Sequence, residues 1–373
     1  MMDQTTDVAI IGGGISGCAI AYFLRTAGVD VTVFDQGDSG AEASSAAAGI
    51  LAPLGSLSGP GIYADLLLES CSLFPDLIPE LEAASGISVE YTQSGTLYIA
   101  RSPHSIHNLR KRMQEWQPHN QEMYWFDGNQ ARDYEPSLAL DVMAAVYAPQ
   151  EGQLKAPKLT QAYARAAAAL GATLRDHTEI AGVQRQGGRV IGITTAQGES
   201  IACKQLVIAA GAWAARCGAW LDLSLPIVPQ RGQILTLEQP TQPLRHVVFG
   251  EAIYFAPKQD NTVVVGATKE EVGYDKRLTA GGISWLLSSA IRLAPPLEPC
   301  AIAQMWAGLR PLTPDHHPIL GRAPGYENVT LAVGHSSNGI MLSAITGQSI
   351  AELMTTGNTP EVIQAFGAER FGK

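Results

Sequence analysis

Three glycines near the start of the chain have the spacing of a dinucleotide-binding turn. Gly12, Gly14 and Gly17 form the pattern G-x-G-x-x-G directly after the apolar residues 8–11. The first glycine permits a tight turn, the second lets the backbone approach a pyrophosphate, and the third lets a helix pack on the strand. Asp35 follows 18 residues after Gly17, where a carboxylate accepts hydrogen bonds from ribose hydroxyls. This arrangement favours a dinucleotide site over a structural glycine turn.

The segments around these glycines predict a βαβ unit. Residues 8–11 predict a buried strand, residues 16–24 a helix, and residues 29–34 a second strand. The helix would direct the positive end of its dipole towards the phosphates. Residues 40–50 then contain almost only small side chains. They form either a flexible loop or backbone that lies close against a ligand, and their position after the second strand favours the ligand.

The remaining elements change character along the chain. Predicted helices cover residues 61–84, 159–170 and 283–293, and a last helix opens at residues 338–343. Predicted strands cover residues 95–100, 180–184, 189–194, 200–203, 206–210, 233–237, 252–256, 262–266 and 328–334. An alanine-rich helix, a three-strand meander and an apolar strand, in that order, are more typical of a two-lobed flavoprotein Rossmann domain than of an NAD dehydrogenase.

We therefore predict an α/β fold with two domains. The Rossmann-type nucleotide-binding domain comprises residues 1–84, 146–225 and 305–373. A second, antiparallel-sheet domain for the substrate comprises residues 85–145 and 226–304. The alternating strands of this second domain would turn one face to a core and the other to solvent or a cavity.

Composition and charge argue against several protein classes. Hydrophobic residues make up 46% of the 373 residues, and charged residues make up 16%, which is typical of a compact, soluble protein. The net charge is −10, and the densest basic cluster, residues 110–112, is interpreted as a solvated helix face rather than a nucleic-acid contact. Since no apolar stretch approaches ~20 residues and the first strand begins too early for a signal peptide, we expect no integral membrane segment and a cytoplasmic protein. Five scattered cysteines without a C-x-x-C pair argue against disulfides and a metal site.

Seven short segments spread over nearly the whole chain carry a family signature. They are IGGGISG at residues 11–17, SAAAG at 45–49, VIAAGAW at 207–213, PQRGQ at 229–233, VGAT at 265–268, WAGLRP at 306–311 and GHSSNGI at 334–340. Together they resemble the D-amino-acid oxidase and sarcosine oxidase family of flavoenzymes. Within that family, the closest likeness is to the glycine oxidases of thiamine biosynthesis.

The resemblance implies FAD as the cofactor, bound without a covalent link. Sarcosine oxidases attach the flavin to a cysteine just before Thr-Pro-Asp, but residues 308–312 before Thr313 contain no cysteine. Residues 44–50 would lie beside the isoalloxazine, and residues 335–341 would cap its pyrimidine end, where a helix N-terminus stabilises negative charge. The residues implied in cofactor binding are Gly12, Gly14, Ile15, Ser16, Gly17, Asp35, Gln36, Ser44, Ser45, Ala48, Gly49, Ile50, Ile180, Gly211, His335, Ser336, Ser337, Asn338, Gly339, Ile340 and Met341.

The same resemblance implies Arg310 and Tyr254 in catalysis and substrate binding. Lys269, where this chain departs from the family pattern, is a further candidate for substrate binding. The Arg310 guanidinium would bind a substrate carboxylate through two parallel hydrogen bonds; the alternative is a structural ion pair. The Tyr254 hydroxyl would be a second donor; the alternative is a packing residue. Lys269 replaces a methionine, and Ser337 replaces an arginine, of the glycine oxidase compared. Lys269 would be a cation near the flavin, where it would assist oxygen reduction or select an acidic substrate. The alternative is that its side chain points to solvent.

The implied reaction is the oxidative deamination of glycine and other small amines or D-amino acids. A hydride would pass from the substrate Cα to flavin N5, O2 would become H2O2, and iminoglycine would supply the thiazole of thiamine. Two alternatives remain open: a D-amino-acid dehydrogenase with an acceptor other than oxygen, and the flavin subunit of a glycine-oxidising complex similar to hydrogen cyanide synthase. The expected partners are the small-molecule substrate and O2, without nucleic acid, and the family implies a homo-oligomer, often a tetramer.

Overall fold

The strands and helices were located in a computed structural model that describes residues 4–56, 59–119 and 121–372. The strands are β1 (Gln4–Ile11), β2 (Val31–Phe34), β3 (Ile50–Leu51), β4 (Thr96–Ala100), β5 (Tyr124–Asp127), β6 (Ala144–Ala148), β7 (Gly152–Gln153), β8 (Thr173–Arg175), β9 (Ile180–Gln186), β10 (Arg189–Thr195), β11 (Ser200–Ile208), β12 (Val228–Glu238), β13 (Val247–Phe249), β14 (Tyr254–Pro257), β15 (Thr262–Gly266), β16 (Ile302–Leu312), β17 (Ile319–Arg322) and β18 (Val329–Val333). The helices are α1 (Ile15–Thr26), α2 (Ala43–Ala46), α3 (Pro53–Ser56), α4 (Ile62–Ser85), α5 (Pro103–Trp116), α6 (Gly128–Tyr134), α7 (Ala156–Ala169), α8 (Ala214–Ala219), α9 (Ala280–Leu293), α10 (Ser343–Thr356) and α11 (Glu361–Gln364). Within the described ranges, no helix is both long and apolar enough to cross a membrane.

β1 lies in the middle of the first sheet, whose strand order is β17-β18-β11-β1-β2-β8. It pairs in parallel with both neighbours, so that Ile10 lies between Val33 and Val207. Because side chains alternate along a strand, Ile10 packs in the core that α1, α4, α7 and α10 cover, whereas Ile11 packs in a core on the opposite face. A largely parallel sheet buried on both faces is typical of a Rossmann-type domain and confirms the predicted α/β class.

The second sheet has the order β16-β12-β15-β14-β13-β4-β6-β5, and its neighbours are antiparallel except for β13 and β4. One face packs on α9, where Phe255 and Leu286 belong to the same buried cluster. The opposite face carries Ile234 and Ala256, which cluster with Ala48 from the first half of the chain. This sheet confirms the predicted antiparallel arrangement and brings its second face against the segment after β2.

Two predicted strands, residues 200–203 and 206–210, are in fact one continuous strand, β11. It pairs in parallel with β1 along nearly its whole length. On its other edge, its first half pairs antiparallel with β10 and its second half pairs in parallel with β18. The polar residues Lys204 and Gln205 interrupt the apolar pattern, which suggested a break. Both stay in the strand, because Gln205 pairs with Val8 and Lys204 Nζ forms a 2.7 Å ion pair with Asp7.

The final helix begins later than predicted. α10 starts at Ser343, and residues 334–342 form turns closed by hydrogen bonds from Asn338 N to the His335 carbonyl and from Leu342 N to the Asn338 carbonyl. The predicted helix N-terminus within residues 335–341 is therefore wrong. Asn338 explains the delay, because its side-chain amide donates to the Tyr63 hydroxyl instead of facing outward from a helix.

The predicted domain changes at residues 146 and 305 fall inside strands of the second sheet. Residue 146 lies within β6, which pairs with β4 and β5. Residue 305 lies within β16, which pairs with β12 along its whole length. Sheet membership therefore extends the second unit to residues 144–148 and 302–312, and the chain returns to the first sheet with β17.

Candidate active site

A cavity of about 830 Å³ is lined by the turn after β1, by residues 43–50 and by one face of the second sheet. The predicted site residues that line it are Gly14, Ile15, Ser16, Ser44, Ala48, Gly49, Ile50, Gly211, Tyr254, Lys269, Arg310, His335, Ser336, Ser337, Asn338, Gly339, Ile340 and Met341. Those that do not line it are Gly12, Gly17, Asp35, Gln36, Ser45 and Ile180. The structure thus brings the two predicted clusters, for cofactor and for substrate, to one cavity.

The turn between β1 and α1 has the backbone that its glycine motif requires. Gly12 has φ +110°, and a Cβ on it would overlap the Ala209 carbonyl oxygen. A Cβ on Gly17 would overlap the carbonyl oxygen of Gly12. These two glycines do not line the cavity, but their lack of a Cβ permits the close backbone contacts of the turn. α1 begins at Ile15, and its N-cap residue Gly14 supplies no side-chain cap. Ile15 N donates to Ser44 Oγ at 2.9 Å, and the N–H groups that follow it in the first turn are available to an anion.

Asp35 lies beside this turn at the end of β2. Its Oδ2 accepts a hydrogen bond from Gly13 N at 2.7 Å, and its Oδ1 accepts one from Gly37 N at 2.9 Å. Burial raises the pKa of Asp35, and the two backbone donors oppose that rise. A carboxylate fixed next to the glycine turn fits the ribose of a dinucleotide, so the residues present suit such a cofactor.

Three other predicted cofactor residues lie away from the cavity. Gln36 is exposed, and Ile180 is buried at the start of β9. The Ser45 hydroxyl donates to the carbonyl oxygens of Ala41 and Glu42 within α2 and its N-terminal turn. The residues 40–50 therefore include a short helix, and most of them line the cavity as expected.

The loop of residues 335–341 is held from two helices. The buried His335 side chain shares a 3.1 Å hydrogen bond between Nε2 and Thr346 Oγ1 of α10, and burial lowers the pKa of His335 to about 4. From α4, Ser70 Oγ donates to the Met341 carbonyl at 2.6 Å. The imidazole is therefore neutral near pH 7, and hydrogen bonds from α4 and α10 fix the two ends of the loop.

Arg310 on β16 and Tyr254 on β14 reach the cavity across glycine positions. The Arg310 guanidinium lies where a Cβ of Gly232 would overlap it, and the Tyr254 hydroxyl lies where a Cβ of Gly266 would overlap it. Arg310 Nη1 donates to the Thr268 carbonyl at 3.0 Å. Within the described residues Arg310 forms no salt bridge, so the alternative of a structural ion pair is not what the structure shows. Burial lowers the pKa of Arg310; it raises the pKa of Tyr254, which the Arg310 charge partly offsets.

Helix α5 supplies cavity residues that the sequence did not predict. His104, Asn108 and Arg112 lie one helical turn apart and line the cavity. Arg112 is thus not part of a solvated face, as had been expected for residues 110–112. The sequence feature that indicates the start of α5 is the Ser-Pro pair at residues 102–103. Ser102 caps the helix, and proline is favoured at its first position.

The family model described as FAD dependent oxidoreductase matches residues 7–353. The chain belongs to this family. FAD is therefore its cofactor, in agreement with the glycine turn, the Asp35 carboxylate and the cavity. Membership in the FAD dependent oxidoreductase family also accounts for the pairing of a Rossmann-type sheet with a second, antiparallel sheet.

Several known proteins are similar to this chain over nearly its whole length. "Glycine oxidase" of Geobacillus kaustophilus (strain HTA426) is 36% identical over 372 residues, which cover 99% of this chain and 98% of the relative. "Bifunctional protein ThiO/ThiG" of Nostoc sp. (strain PCC 7120 / SAG 25.82 / UTEX 2576) is 36% identical over 99% of this chain, which spans 56% of that longer protein. The crystal structure of glycine oxidase from Geobacillus kaustophilus superposes with a TM-score of 0.94 and 35% identity, covering 98% of each chain.

Proposed function

We propose that this chain catalyses the FAD-dependent oxidative deamination of glycine and other small amines or D-amino acids, with O2 reduced to H2O2. The iminoglycine formed would supply the thiazole moiety of thiamine. The full-length similarity to proteins named glycine oxidase supports the reaction, and the similarity to proteins named ThiO/ThiG supports the pathway.

The observation that carries this proposal is the cationic Arg310 side chain in the cavity, without a carboxylate partner among the described residues. Its fork of donors matches a carboxylate, and one of its donors is already fixed by the Thr268 carbonyl. The free edge of the guanidinium is therefore oriented before substrate binds. An α-amino acid bound there has its Cα held in one place, and such orientation contributes up to ~7–11 kcal/mol in well-aligned reactions.

The other residues of the chain would bind and position the two reactants. Tyr254 would donate its hydroxyl to the substrate carboxylate beside Arg310. Gly14, Ile15 and Ser16 would hold the cofactor pyrophosphate, and Asp35 would hold its ribose. FAD, when bound, accepts the hydride from the substrate Cα and passes electrons to oxygen. No general base on the protein is needed when the substrate amine is neutral.

Further parts of the proposal concern the state of the protein. FAD is bound without a covalent link, since residues 308–312, just before Thr313, contain no cysteine. The division into a discontinuous FAD-binding domain and a substrate-binding domain follows the two sheets, with bounds adjusted to β6 and β16. A cytoplasmic homotetramer is proposed from the resemblance to the family.

The test is a peroxide assay on the purified holoenzyme with glycine, sarcosine and D-alanine in air, repeated with Arg310→Ala. We expect peroxide from the unaltered protein, and in Arg310→Ala a KM for glycine raised roughly 100-fold with FAD content unchanged, because a charge-assisted pair contributes about 1.5–3 kcal/mol. Arg189→Ala, which removes an exposed arginine from β10, is the matched control and should behave as wild type. Flavin reduction under nitrogen without peroxide in air would instead indicate a dehydrogenase. Turnover only with added subunits would indicate a component of a complex.

A further inference from the structure

The charged side chains that line the cavity are mostly cationic, although the chain carries a net charge of −10. Among the described residues, Arg112, Lys269 and Arg310 line it with the single carboxylate of Glu251, which is exposed. Arg112 has partners, because its guanidinium carbon lies 5.7 Å from the Tyr98 ring centroid and its charge lowers the pKa of the buried Glu151. Arg310 is assigned to the substrate carboxylate. Lys269 is the cation left without an assigned partner.

The backbone around Lys269 directs its side chain to the cavity. Thr268 N donates to the Gln233 carbonyl, and Glu270 exchanges two backbone hydrogen bonds with Arg231, so the segment continues along β12. Side chains alternate along such a segment. Thr268 and Glu270 turn their side chains to Gln233 and Arg231, and Lys269 therefore faces the other side. That is the side on which Arg310 lies over Gly232.

The network behind this segment is largely buried and closely hydrogen-bonded. Arg231 is 3% exposed and forms an ion pair with Glu270, whose other carboxylate oxygen accepts from Gln233 Nε2 at 2.7 Å. Gln233 is fully buried and also accepts from Thr279 N at 2.9 Å. With both neighbours fixed, the Cα of Lys269 has a defined position next to the Thr268 carbonyl that holds Arg310.

Lys269 itself makes no hydrogen bond or ion pair with any described residue, and its side chain is exposed to the cavity. A lysine ammonium is a compact, strongly hydrated charge, and an anion is the partner that compensates for its desolvation. The pyrophosphate of FAD is assigned to the start of α1. The remaining candidate for an anion next to Lys269 is the substrate.

We propose that Lys269 forms a second anion subsite, which binds the distal carboxylate of an amino acid whose first carboxylate is bound by Arg310. The substrate class is small amino dicarboxylates, either N-carboxymethyl amino acids or acidic D-amino acids. This inference rests on the proposed function, because it takes Arg310 as the first carboxylate site. Oxidation of iminodiacetate would transfer two electrons and two protons to O2 as H2O2, and water would hydrolyse the imine to glycine and glyoxylate.

The experiment compares ligands that differ by one carboxylate on the flavin-loaded protein. Acetate and malonate are titrated under nitrogen while the flavin absorption is recorded, and sarcosine and iminodiacetate are compared in the peroxide assay. We expect malonate to bind more tightly than acetate, and Lys269→Met to reduce that preference at least 10-fold. The same variant should lower the ratio of kcat/KM for iminodiacetate to that for sarcosine by a similar factor. Lys269→Arg, which keeps the charge, should retain most of the preference.

Equal binding of malonate and acetate by the unaltered protein, or equal losses for both ligands in Lys269→Met, would overturn the subsite. Arg310→Ala separates this result from a failure of the proposed function, because it should weaken acetate and malonate alike. A protein that binds malonate through Lys269 but oxidises neither glycine nor sarcosine would retain the subsite and disprove the glycine oxidase function. A protein that oxidises glycine without any preference for dicarboxylates would retain the glycine oxidase function and disprove the subsite.

Discussion

The guanidinium of Arg310 occupies the space above Gly232, on the strand next to its own. A Cβ at Gly232 would overlap Nη1, Nη2 and Cζ of that guanidinium. In the β12–β16 ladder Gly232 lies opposite Gly308, where a Cβ would overlap the Ala46 side chain. The orientation of Arg310 therefore depends on the lack of a side chain at Gly232 as well as on the hydrogen bond to the Thr268 carbonyl.

Gly232→Ala should displace the Arg310 guanidinium without removing its charge. We expect the KM for glycine to rise between about 10- and 100-fold, since displacing one charged hydrogen-bonding group typically costs about 1.5–3 kcal/mol. FAD binding should be retained, because Gly232 lies on the second sheet and away from the glycine turn. Steady-state kinetics with a parallel measurement of bound FAD checks both expectations.

The matched control is Gly182→Ala on β9, where an added Cβ would have no neighbour within 4 Å. This variant should have wild-type kinetics. If Gly232→Ala also kept the wild-type KM, Arg310 would not orient the substrate carboxylate.

The local parts of the site could be predicted from sequence, because their geometry is encoded within a few residues. The spacing of Gly12, Gly14 and Gly17 defines the turn directly, and Asp35 follows one strand later. The family resemblance added Arg310 and Tyr254, and the structure brings both to the cavity. Their roles in binding remain predictions.

Long-range contacts were not predictable in the same way. Arg112 belongs to a basic run that looks solvated, and only the packing of α5 against the second sheet brings it to the cavity. Tyr63 lies 275 residues from the loop that it contacts. The start of α10 was misplaced for the same reason, since the side chain of Asn338 bonds to that distant tyrosine.

Tyr63 is predicted to position the loop of residues 335–341 for FAD. Its hydroxyl accepts a 2.8 Å hydrogen bond from Asn338 Nδ2, both side chains are buried, and its ring lies 4.3 Å from that of His317. Tyr63→Phe keeps the ring and removes one partner of a buried donor, which costs about 1–2 kcal/mol. We expect the affinity of the apoprotein for FAD to fall roughly 5- to 30-fold in a fluorescence titration.

Tyr124→Phe removes the hydroxyl of an exposed tyrosine on β5 and should leave FAD affinity unchanged. Rigid positioning also predicts an altered flavin absorption spectrum in Tyr63→Phe. Wild-type affinity together with a wild-type spectrum would show that this hydrogen bond does not position the cofactor loop.

Glu151 is a buried carboxyl group that makes stability depend on pH. It is 4% exposed, its Oε1 accepts from Leu54 N at 2.9 Å, and its Oε2 accepts from the Tyr98 hydroxyl at 2.5 Å. Burial raises the pKa of Glu151 from 4.5 to about 7, although these donors and the charge of Arg112 lower it. The segment that Leu54 belongs to, α3, lines the cavity through Gly55.

The free energy of unfolding changes with pH because Glu151 binds its proton differently in the folded and the unfolded chain. Below pH 4.5 Glu151 is protonated whether the protein is folded or unfolded, so its contribution does not change with pH. Between pH 4.5 and about 7 the unfolded chain releases this proton while the folded protein keeps it, and the free energy of unfolding falls as pH rises. Above that window the loss is complete, and at about 1.4 kcal/mol per pH unit it reaches at most about 3.5 kcal/mol.

Glu151→Gln removes the ionisation and keeps an acceptor for Leu54 N and a donor for the Tyr98 oxygen. We expect Tm of the variant relative to wild type to increase as pH is raised from 5 to 8, as measured by thermal unfolding of the holoenzyme in buffers of equal ionic strength. Glu69→Gln changes an exposed glutamate of α4 and should follow the wild-type profile at every pH. A constant Tm difference between Glu151→Gln and wild type would mean that Glu151 has the same pKa in both states, because only a difference in proton binding makes the stability of one variant change with pH relative to the other.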